Sequence, residues 1–156
     1  MPSIRSKTAA DVDQVTAIVA LATQELRRVY APLPRKNPMP PHHEAAPYLS
    51  LVAVTGNVVA GVVEYCVSPG GIHIRSLAVH PRQRQRGVAR ALIGAVERIA
   101  VSEGKSQVTL STIRETGNPT IFAKLGFKVV DAAPAEDFHG RDGQPVTKIT
   151  MCRILA

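Results

Sequence analysis

Hydrophobic positions along the chain follow a helical period in three places. Between residues 11 and 28, apolar side chains recur every three or four positions, which predicts an amphipathic helix. A second stripe runs from Val88 to about Glu103 and ends at Gly104, a residue typical of helix C-termini. A third, shorter helix is predicted over Asn118–Leu125.

The remaining apolar runs are rich in β-branched residues, which predicts strands. Residues 31–47 hold six of the twelve prolines and predict a long loop. No repeat or second core interrupts the order, so residues 1–156 predict one domain with a mixed sheet of six to seven strands and helices on its faces. The predicted strands are Ser3–Lys7, Leu49–Val54, Val58–Val67, Ile72–Val79, Gln107–Thr112, Phe127–Asp131 and Val146–Leu155.

Composition narrows the range of functions. Of the 156 residues, 45% are hydrophobic and 20% are charged, which is typical of a globular domain. The net charge of +7 favours an anionic partner. Aromatic residues make up 4% and tryptophan is absent, which disfavours a nucleic-acid binder that stacks bases. The polar N-terminus and the two cysteines, which lie in apolar runs, predict a cytoplasmic protein with free thiols and no signal peptide.

The stretch HPRQRQRGVARALI, from His80 to Ile93, places four arginines where the second helix begins. Unpaired N–H groups at a helix N-terminus bind phosphate, and a glycine allows close approach to the backbone. The stretch contains neither a Walker loop nor a dinucleotide fingerprint. It therefore predicts a cradle for a phosphate-bearing ligand. Arg82 lies outside the cradle and is interpreted as a solvated side chain.

Within this stretch, the segment from Arg84 to Ala89 resembles motif A of the GCN5-related N-acetyltransferases, Q/R-x-x-G-x-G/A. The preceding segment SLAVHP, Ser76–Pro81, resembles the end of the fourth strand of that family. Downstream, NPTIFAKLGF, Asn118–Phe127, resembles the N…(Y/F)xKLGF segment of motif B. The resemblance covers nearly the whole chain. It implies a mostly antiparallel α/β (α+β) sheet with about four helices, splayed between the fourth and fifth strands.

The resemblance also implies acetyl-coenzyme A (acetyl-CoA) as cosubstrate, with direct transfer of the acetyl group to a primary amine of a small molecule or peptide. The pyrophosphate would lie on the arginine loop, and the pantetheine would lie along the fourth strand. No metal is expected. The residues implied in cofactor binding are Leu77, Ala78, Val79, Arg84, Gln85, Arg86, Gly87, Val88, Ala89, Arg90, Asn118 and Phe122.

Two residues are candidates for the catalytic base. His73 lies five residues before Ala78, where histone-acetylating relatives carry a glutamate, and a histidine titrates near neutral pH. In the absence of a bulge, His73 shares a face with Arg75, Leu77 and Val79. A bulge between Ile74 and Ala78 would turn His73 away from the cleft. Glu64 is the second candidate. For both, the alternative is a polar side chain facing solvent.

Phe122 departs from the family pattern, since many relatives carry a tyrosine there that protonates the leaving thiolate. A coenzyme A-binding module without catalysis is therefore the alternative function. Asn118 is interpreted either as a pantetheine ligand or as a helix N-cap, and Tyr30 and Tyr65 are left unplaced. His42–His43 is interpreted as part of the acceptor pocket, and a homodimer is compatible with the sequence. The scarcity of acidic residues near 30–50 favours a neutral or anionic acceptor or a peptide N-terminus.

Overall fold

The computed structural model describes residues 2–33 and 47–155. Most of the predicted 31–47 loop and the His42–His43 pair lie outside these residues. Eight strands are present: β1 (Ser3–Ser6), β2 (Tyr30–Pro32), β3 (Leu49–Thr55), β4 (Val58–Ser68), β5 (Gly71–Val79), β6 (Gln107–Ile113), β7 (Lys128–Gly140) and β8 (Pro145–Ile154). Three helices accompany them: α1 (Val12–Leu26), α2 (Val88–Ser102) and α3 (Asn118–Lys124).

The strands form one sheet in the order β1-β3-β4-β5-β6-β8-β7-β2. All neighbouring strands are antiparallel except β5 and β6, which run parallel. This confirms the predicted single, mixed and mostly antiparallel sheet flanked by helices. The eight strands exceed the six to seven predicted, and the described part of the chain has three α-helices instead of about four.

Two strands differ from their predicted extent. β2 lies at the start of the segment predicted as loop, because its three residues form a strand only by pairing with Phe138–Gly140 of β7. β7 continues to Gly140 instead of ending near Asp131. Pro134 and the small residues around it carry little strand propensity, but β8 pairs with residues 132–134 and 139, and β2 pairs with residues 138–140. Tertiary pairing thus overrides the local pattern.

The sheet carries a hydrophobic core on each face. The larger cluster packs α2 against the central strands and includes Leu92, Val96 and Phe127. Phe122 of α3 also packs against this cluster. The smaller cluster packs Val15 and Ile18 of α1 against the opposite face of β3, β4 and β5. The sheet is therefore a central layer, with α2 and α3 on one side and α1 on the other.

A bulge in β5 changes which side chains face each layer. Glu64 of β4 pairs with Ser76, whereas the next residue, Tyr65, pairs with Ile74, so Arg75 is the extra residue. Ile74 before the bulge and Leu77 after it both pack against the α2-side core, although they are three residues apart. The bulge therefore reverses the alternation along β5.

Candidate active site

A cleft opens where β5 and β6 separate. Their parallel pairing covers only Ile72–Ile74 and Val108–Leu110. Beyond this point, among the described residues, β5 pairs with β4 alone and β6 pairs with β8 alone. The lining residues come from α1, β2, β5, β6, the following turn and α3: Val19, Ala22, Thr23, Leu26, Tyr30, Ile74, Arg75, Ser76, Leu77, Ala78, Leu110, Ser111, Thr112, Ile113, Thr116, Asn118 and Phe122.

Backbone groups of β5 are free on the cleft side. The N–H of His80 donates to the carbonyl of Ala60 over 2.8 Å, which fixes the hydrogen-bonding phase between β4 and β5. Because that phase alternates in an antiparallel pair, the N–H of Ala78 points toward β4. The N–H groups of Leu77 and Val79 point toward the open cleft. β5 therefore offers a free strand edge at these two residues.

The loop before α2 combines an exposed backbone with positive side chains. Gly87 is the N-cap residue of α2, in the left-handed region at φ +79°, and no side chain caps the helix. Gln85 also has a positive φ, at +62°. The first-turn N–H groups at Val88, Ala89 and Arg90 have no acceptor within the helix. This arrangement suits an anion.

The arginines of the loop have different neighbours. Arg84 forms an ion pair with Glu25 of α1 over 3.0 Å. Arg90 lies within 3.4 Å of the carbonyl of Lys124 at the end of α3. Arg84, Arg86 and Arg90 are all exposed, whereas Val88 is buried in the core. Val88 can therefore contact a ligand only through its backbone, while the three guanidinium groups are accessible.

Two predicted residues of α3 line the opposite wall of the cleft. Asn118 is the first residue of α3, its N-cap is Gly117, and its side chain makes no capping hydrogen bond. The N-cap interpretation of Asn118 is therefore wrong. Phe122 packs edge-on against Phe127, with 6.2 Å between the ring centres. Because a phenyl ring has no ionisable proton, Phe122 provides apolar surface to the cleft.

The bulge places His73 on the α1 side of the sheet, opposite to Leu77 and Val79. Of the two arrangements that the sequence left open, the one with a bulge is therefore present, and His73 is not among the lining residues. Its Nδ1 lies 3.0 Å from the hydroxyl of Thr109 on β6. Burial, together with the positive charge of Lys148, lowers the pKa of His73 below its usual value, so the neutral ring predominates at pH 7.

Glu64 forms an ion pair with Arg75 on the same side of the sheet. The guanidinium of Arg75 also stacks over the ring of Tyr48, 3.8 Å from the ring centre. Arg75 lines the cleft, but Glu64 does not. The two predicted base candidates therefore lie beside the cleft, each with a polar partner.

Sequence reasoning left two tyrosines unplaced, and they lie in different environments. Tyr65 is buried in the core, which raises its pKa. Tyr30 lines the cleft, stacked edge-on against Phe138 with 5.0 Å between ring centres. No periodic signal marks Tyr30, because β2 depends on a partner more than a hundred positions along the chain. Thr23 and Leu26 were also missed, since the α1 pattern indicated only a core-facing helix.

Two kinds of feature are absent from the described residues. Residues 2–33 and 47–155 contain no helix that is long and apolar enough to cross a membrane. The same residues contain no group of three or more His, Cys, Asp or Glu side chains that could hold a metal ion. The described residues that line the cleft contribute backbone groups, one arginine, one amide, hydroxyls and apolar side chains.

Comparison with solved structures finds the same fold in N-acetyltransferases. A GCN5-related N-acetyltransferase from Kribbella flavida matches with a TM-score of 0.75 and 22% identity, over 99% of this chain and 98% of that chain. An aminoglycoside 6'-N-acetyltransferase complexed with coenzyme A matches with 0.72 and 16%, over 99% and 97%. The ribosomal-protein-S18-alanine N-acetyltransferase from Escherichia coli matches with 0.69 and 17%, over 100% and 95%.

A search of curated proteins found no match. The sequence model of the acetyltransferase (GNAT) family matches residues 16–127, which include the sheet from β3 to β6, the arginine loop and α3. That match covers well over half of the chain and contains both motifs. The chain belongs to the acetyltransferase (GNAT) family.

Proposed function

We propose that this chain is an acetyl-CoA-dependent N-acetyltransferase that transfers an acetyl group directly to a primary amine of a small molecule or peptide. One observation carries the proposal: a free strand edge at Leu77 and Val79 opens beside the uncapped N-terminus of α2. Coenzyme A needs both features, because its pantetheine arm carries amides and its pyrophosphate carries negative charge.

The pyrophosphate would bind to the loop before α2. Its oxygens would accept hydrogen bonds from the free N–H groups of Val88 and Ala89 and charge-assisted bonds from the exposed arginines. Gly87 leaves the approach open, because a side chain built there would meet nothing within 4 Å. The Arg84–Glu25 ion pair is exposed at both ends, so it exchanges readily for a phosphate contact.

The pantetheine would lie along the free edge of β5 and pair with it as an added strand. Ala78, buried on the α1 side, would contribute through its backbone. Asn118 lines the same cleft and its side-chain amide does not cap α3, which suits a hydrogen bond to an amide of the pantetheine. Phe122 would cover the apolar end of the arm. The cofactor would thereby bring its thioester to the middle of the sheet.

Transfer needs a neutral amine, stabilisation of the thioester oxygen, and departure of the thiolate. The free N–H of Val79 or Leu77 is a donor for the developing negative charge, an interaction worth roughly a hundredfold or more in rate. The conjugate acid of the coenzyme A thiolate is an ordinary thiol with a pKa of about 8.5. The thiolate can therefore leave without protonation by a tyrosine at position 122.

We propose His73 as the base that removes the proton from the amine, with Glu64 as the alternative. The neutral ring of His73 can accept a proton at Nε2 while Thr109 holds Nδ1. Because His73 lies beside the cleft instead of lining it, a water would carry the proton between amine and ring. The carboxylate of Glu64 is engaged by Arg75, which makes it the weaker candidate.

Two measurements test the proposal. Calorimetry should detect binding of coenzyme A to the parent protein, and binding should raise the melting temperature. Release of free thiol from acetyl-CoA should then depend on added amine, measured across a panel of anionic, neutral and cationic amines. Binding without amine-dependent thiol release would support the coenzyme A-binding module instead. Absence of binding to folded protein would contradict both functions.

A further inference from the structure

Charge is very unevenly distributed around the cleft. Among the described residues that line it, Arg75 is the only one with a charged side chain, and no aspartate or glutamate is present. The remaining lining residues are apolar side chains, hydroxyls and one amide. An acceptor with several ammonium groups would therefore find one cation and no carboxylate among these residues.

The β-bulge fixes the position of Arg75 at the cleft. An extra residue at a bulge directs its side chain away from the regular alternation of the strand. Cζ of the guanidinium then lies over the ring of Tyr48, 3.8 Å from its centre, and Nη2 contacts Glu64. Stacking on an aromatic ring leaves the edge of the guanidinium free for in-plane hydrogen bonds.

The Glu64 contact does not exhaust the donors of Arg75. A guanidinium has five N–H groups, and the ion pair with Glu64 engages only one nitrogen. The side chain of Arg75 is 53% exposed, so the remaining donors are accessible to a ligand. Their planar, forked arrangement matches a carboxylate, which can accept two parallel hydrogen bonds.

A second arginine increases the positive charge at the acceptor end. Arg27, at the C-terminus of α1, lies with its guanidinium 5.3 Å from the ring centre of Tyr30, a lining residue. Its Nη1 is buried and has no hydrogen-bond partner within the part of the chain that the structure describes. Both arginines therefore favour an anionic group near the acceptor site.

We propose that the acceptor amine also carries a carboxylate, and that Arg75 binds this carboxylate and so determines acceptor specificity. The proposal rests on the proposed N-acetyltransferase function. Arg75 would orient the acceptor through its carboxylate, while the amine reaches the thioester on β5. Because Arg75 contacts the acceptor and not the cofactor, its removal should leave coenzyme A binding unchanged.

The test compares α-amino acids with their C-terminal amides as matched acceptors. Thiol release from acetyl-CoA is measured with the parent protein, Arg75→Met, Arg75→Lys and Arg98→Met, which removes an exposed arginine of α2 away from the cleft. The parent and Arg98→Met should use the acid at least tenfold better than the amide in kcat/KM. Arg75→Met should lose this preference, and Arg75→Lys should retain part of it.

Coenzyme A affinity and melting temperature are measured on every variant to confirm that each is folded. Equal use of acid and amide by the parent would overturn the carboxylate proposal, as would thiol release with neutral or cationic amines alone. Retention of the acid preference in Arg75→Met would also overturn it. Absence of thiol release with every amine would overturn the proposed function, and the carboxylate proposal with it.

Discussion

Two residues give the loop before α2 its shape. Gly87 adopts a left-handed conformation at no steric cost, but Gln85 adopts the same conformation at φ +62° with a side chain. For an ordinary residue this region costs roughly 1–2 kcal/mol. Such strain is commonly kept where a backbone must present its polar groups to a ligand. The glycine was visible in the sequence, whereas the strain at Gln85 was not.

Gly87→Ala is expected to weaken coenzyme A binding at least tenfold, equivalent to about 1.4 kcal/mol. The added Cβ stands in open space, so the protein itself loses only the energy of a left-handed alanine. The methyl group would nevertheless occupy the space through which a pyrophosphate approaches the backbone. Isothermal calorimetry with coenzyme A measures the change in affinity.

Gly143→Ala provides the matched control. Gly143 has the same φ of +79° and the same open surroundings, but it lies in the turn between β7 and β8 and is not part of the arginine loop. Both variants should lose similar stability, and only Gly87→Ala should lose affinity. Equal affinity in the two variants would show that the ligand does not approach Gly87.

His73→Ala is expected to lower turnover roughly a hundredfold, the usual contribution of a general base, with little change in coenzyme A affinity. Because burial lowers its pKa, the ring stays neutral at lower pH than an ordinary histidine. The fall of the parent's activity toward acid pH should therefore be centred below pH 6.5. Stopped assays of kcat as a function of pH measure this loss of activity toward acid pH.

Glu64→Gln is the parallel variant in these assays. If His73→Ala retains full turnover and the acid limb, while Glu64→Gln loses both, the base is Glu64. Thr109→Val tests whether the orientation of the His73 ring matters, because it keeps the imidazole but removes the hydroxyl that contacts Nδ1. In this variant, the pH at which kcat falls on the acid side should differ from that of the parent, since the hydrogen bond that orients the ring is gone.

At the level of secondary-structure elements, the close packing of α2 against the sheet depends on Gly61 of β4. A Cβ at this position would lie 2.9 Å from Cγ1 of Val88 and 3.0 Å from the carbonyl oxygen of Ala78. Val88 is the first residue of α2, and Ala78 belongs to the strand that faces the cleft. The glycine thus lets the N-terminus of the helix approach the central strands closely.

Gly61→Ala is expected to destabilise the fold by about 1–3 kcal/mol, because overpacking forces the backbone or Val88 to move. Displacement of the helix N-terminus should also weaken coenzyme A binding. Thermal denaturation and calorimetry measure the two effects. Gly94→Ala, in the middle of α2, should instead be stabilising by up to about 1 kcal/mol, because its Cβ meets only the end of Arg98 at 3.5 Å. Unchanged stability in Gly61→Ala would contradict the packing argument.

The elements that the sequence predicted well have strong local patterns. α1 and α2 carry periodic apolar stripes, and their observed bounds lie within two residues of the predicted ones. β2 and the far half of β7 were missed, because they exist through pairing between distant segments. The sequence left open whether β5 contains a bulge, because none of the residues Ile74, Arg75 and Ser76 requires one. Local patterns therefore predicted elements better than their register.

The same distinction applies to the site as a whole. The loop from Arg84 to Arg90 and the segment around Phe122 are contiguous motifs, so sequence was sufficient to locate them. The proposed acceptor side includes Tyr30 and Arg75, which are distant in sequence and line the same cleft, and Arg75 in turn contacts Tyr48. Family motifs indicate the cofactor side of the proposed site, whereas the proposed acceptor residues depend on nonlocal packing.

At the scale of the whole molecule, Asp11 and His73 predict that stability depends on pH. Asp11 accepts two hydrogen bonds from Arg5, at 2.7 and 2.9 Å, and one from the N–H of Thr8, which together hold its pKa well below the usual range. These contacts join β1 to the start of α1. His73 is also held below its ordinary pKa, mainly by burial. In both cases the folded protein binds the proton less readily than the unfolded chain.

The sign of the effect is therefore the same for both groups, but the pH ranges differ. The contribution of His73 to the free energy of unfolding is complete above about pH 6.5 and is lost as the pH falls toward its folded pKa. The contribution of Asp11 is complete above about pH 3.9 and is lost as the pH falls below that value. Melting temperatures from pH 8 to pH 2.5 should fall less between pH 7 and 5 in His73→Asn than in the parent. Asp11→Asn should melt below the parent at pH 7, with the difference shrinking below about pH 3.9 as the Asp11 carboxyl of the unfolded parent chain is protonated. If the curves of parent and variants run parallel, neither group couples protonation to folding.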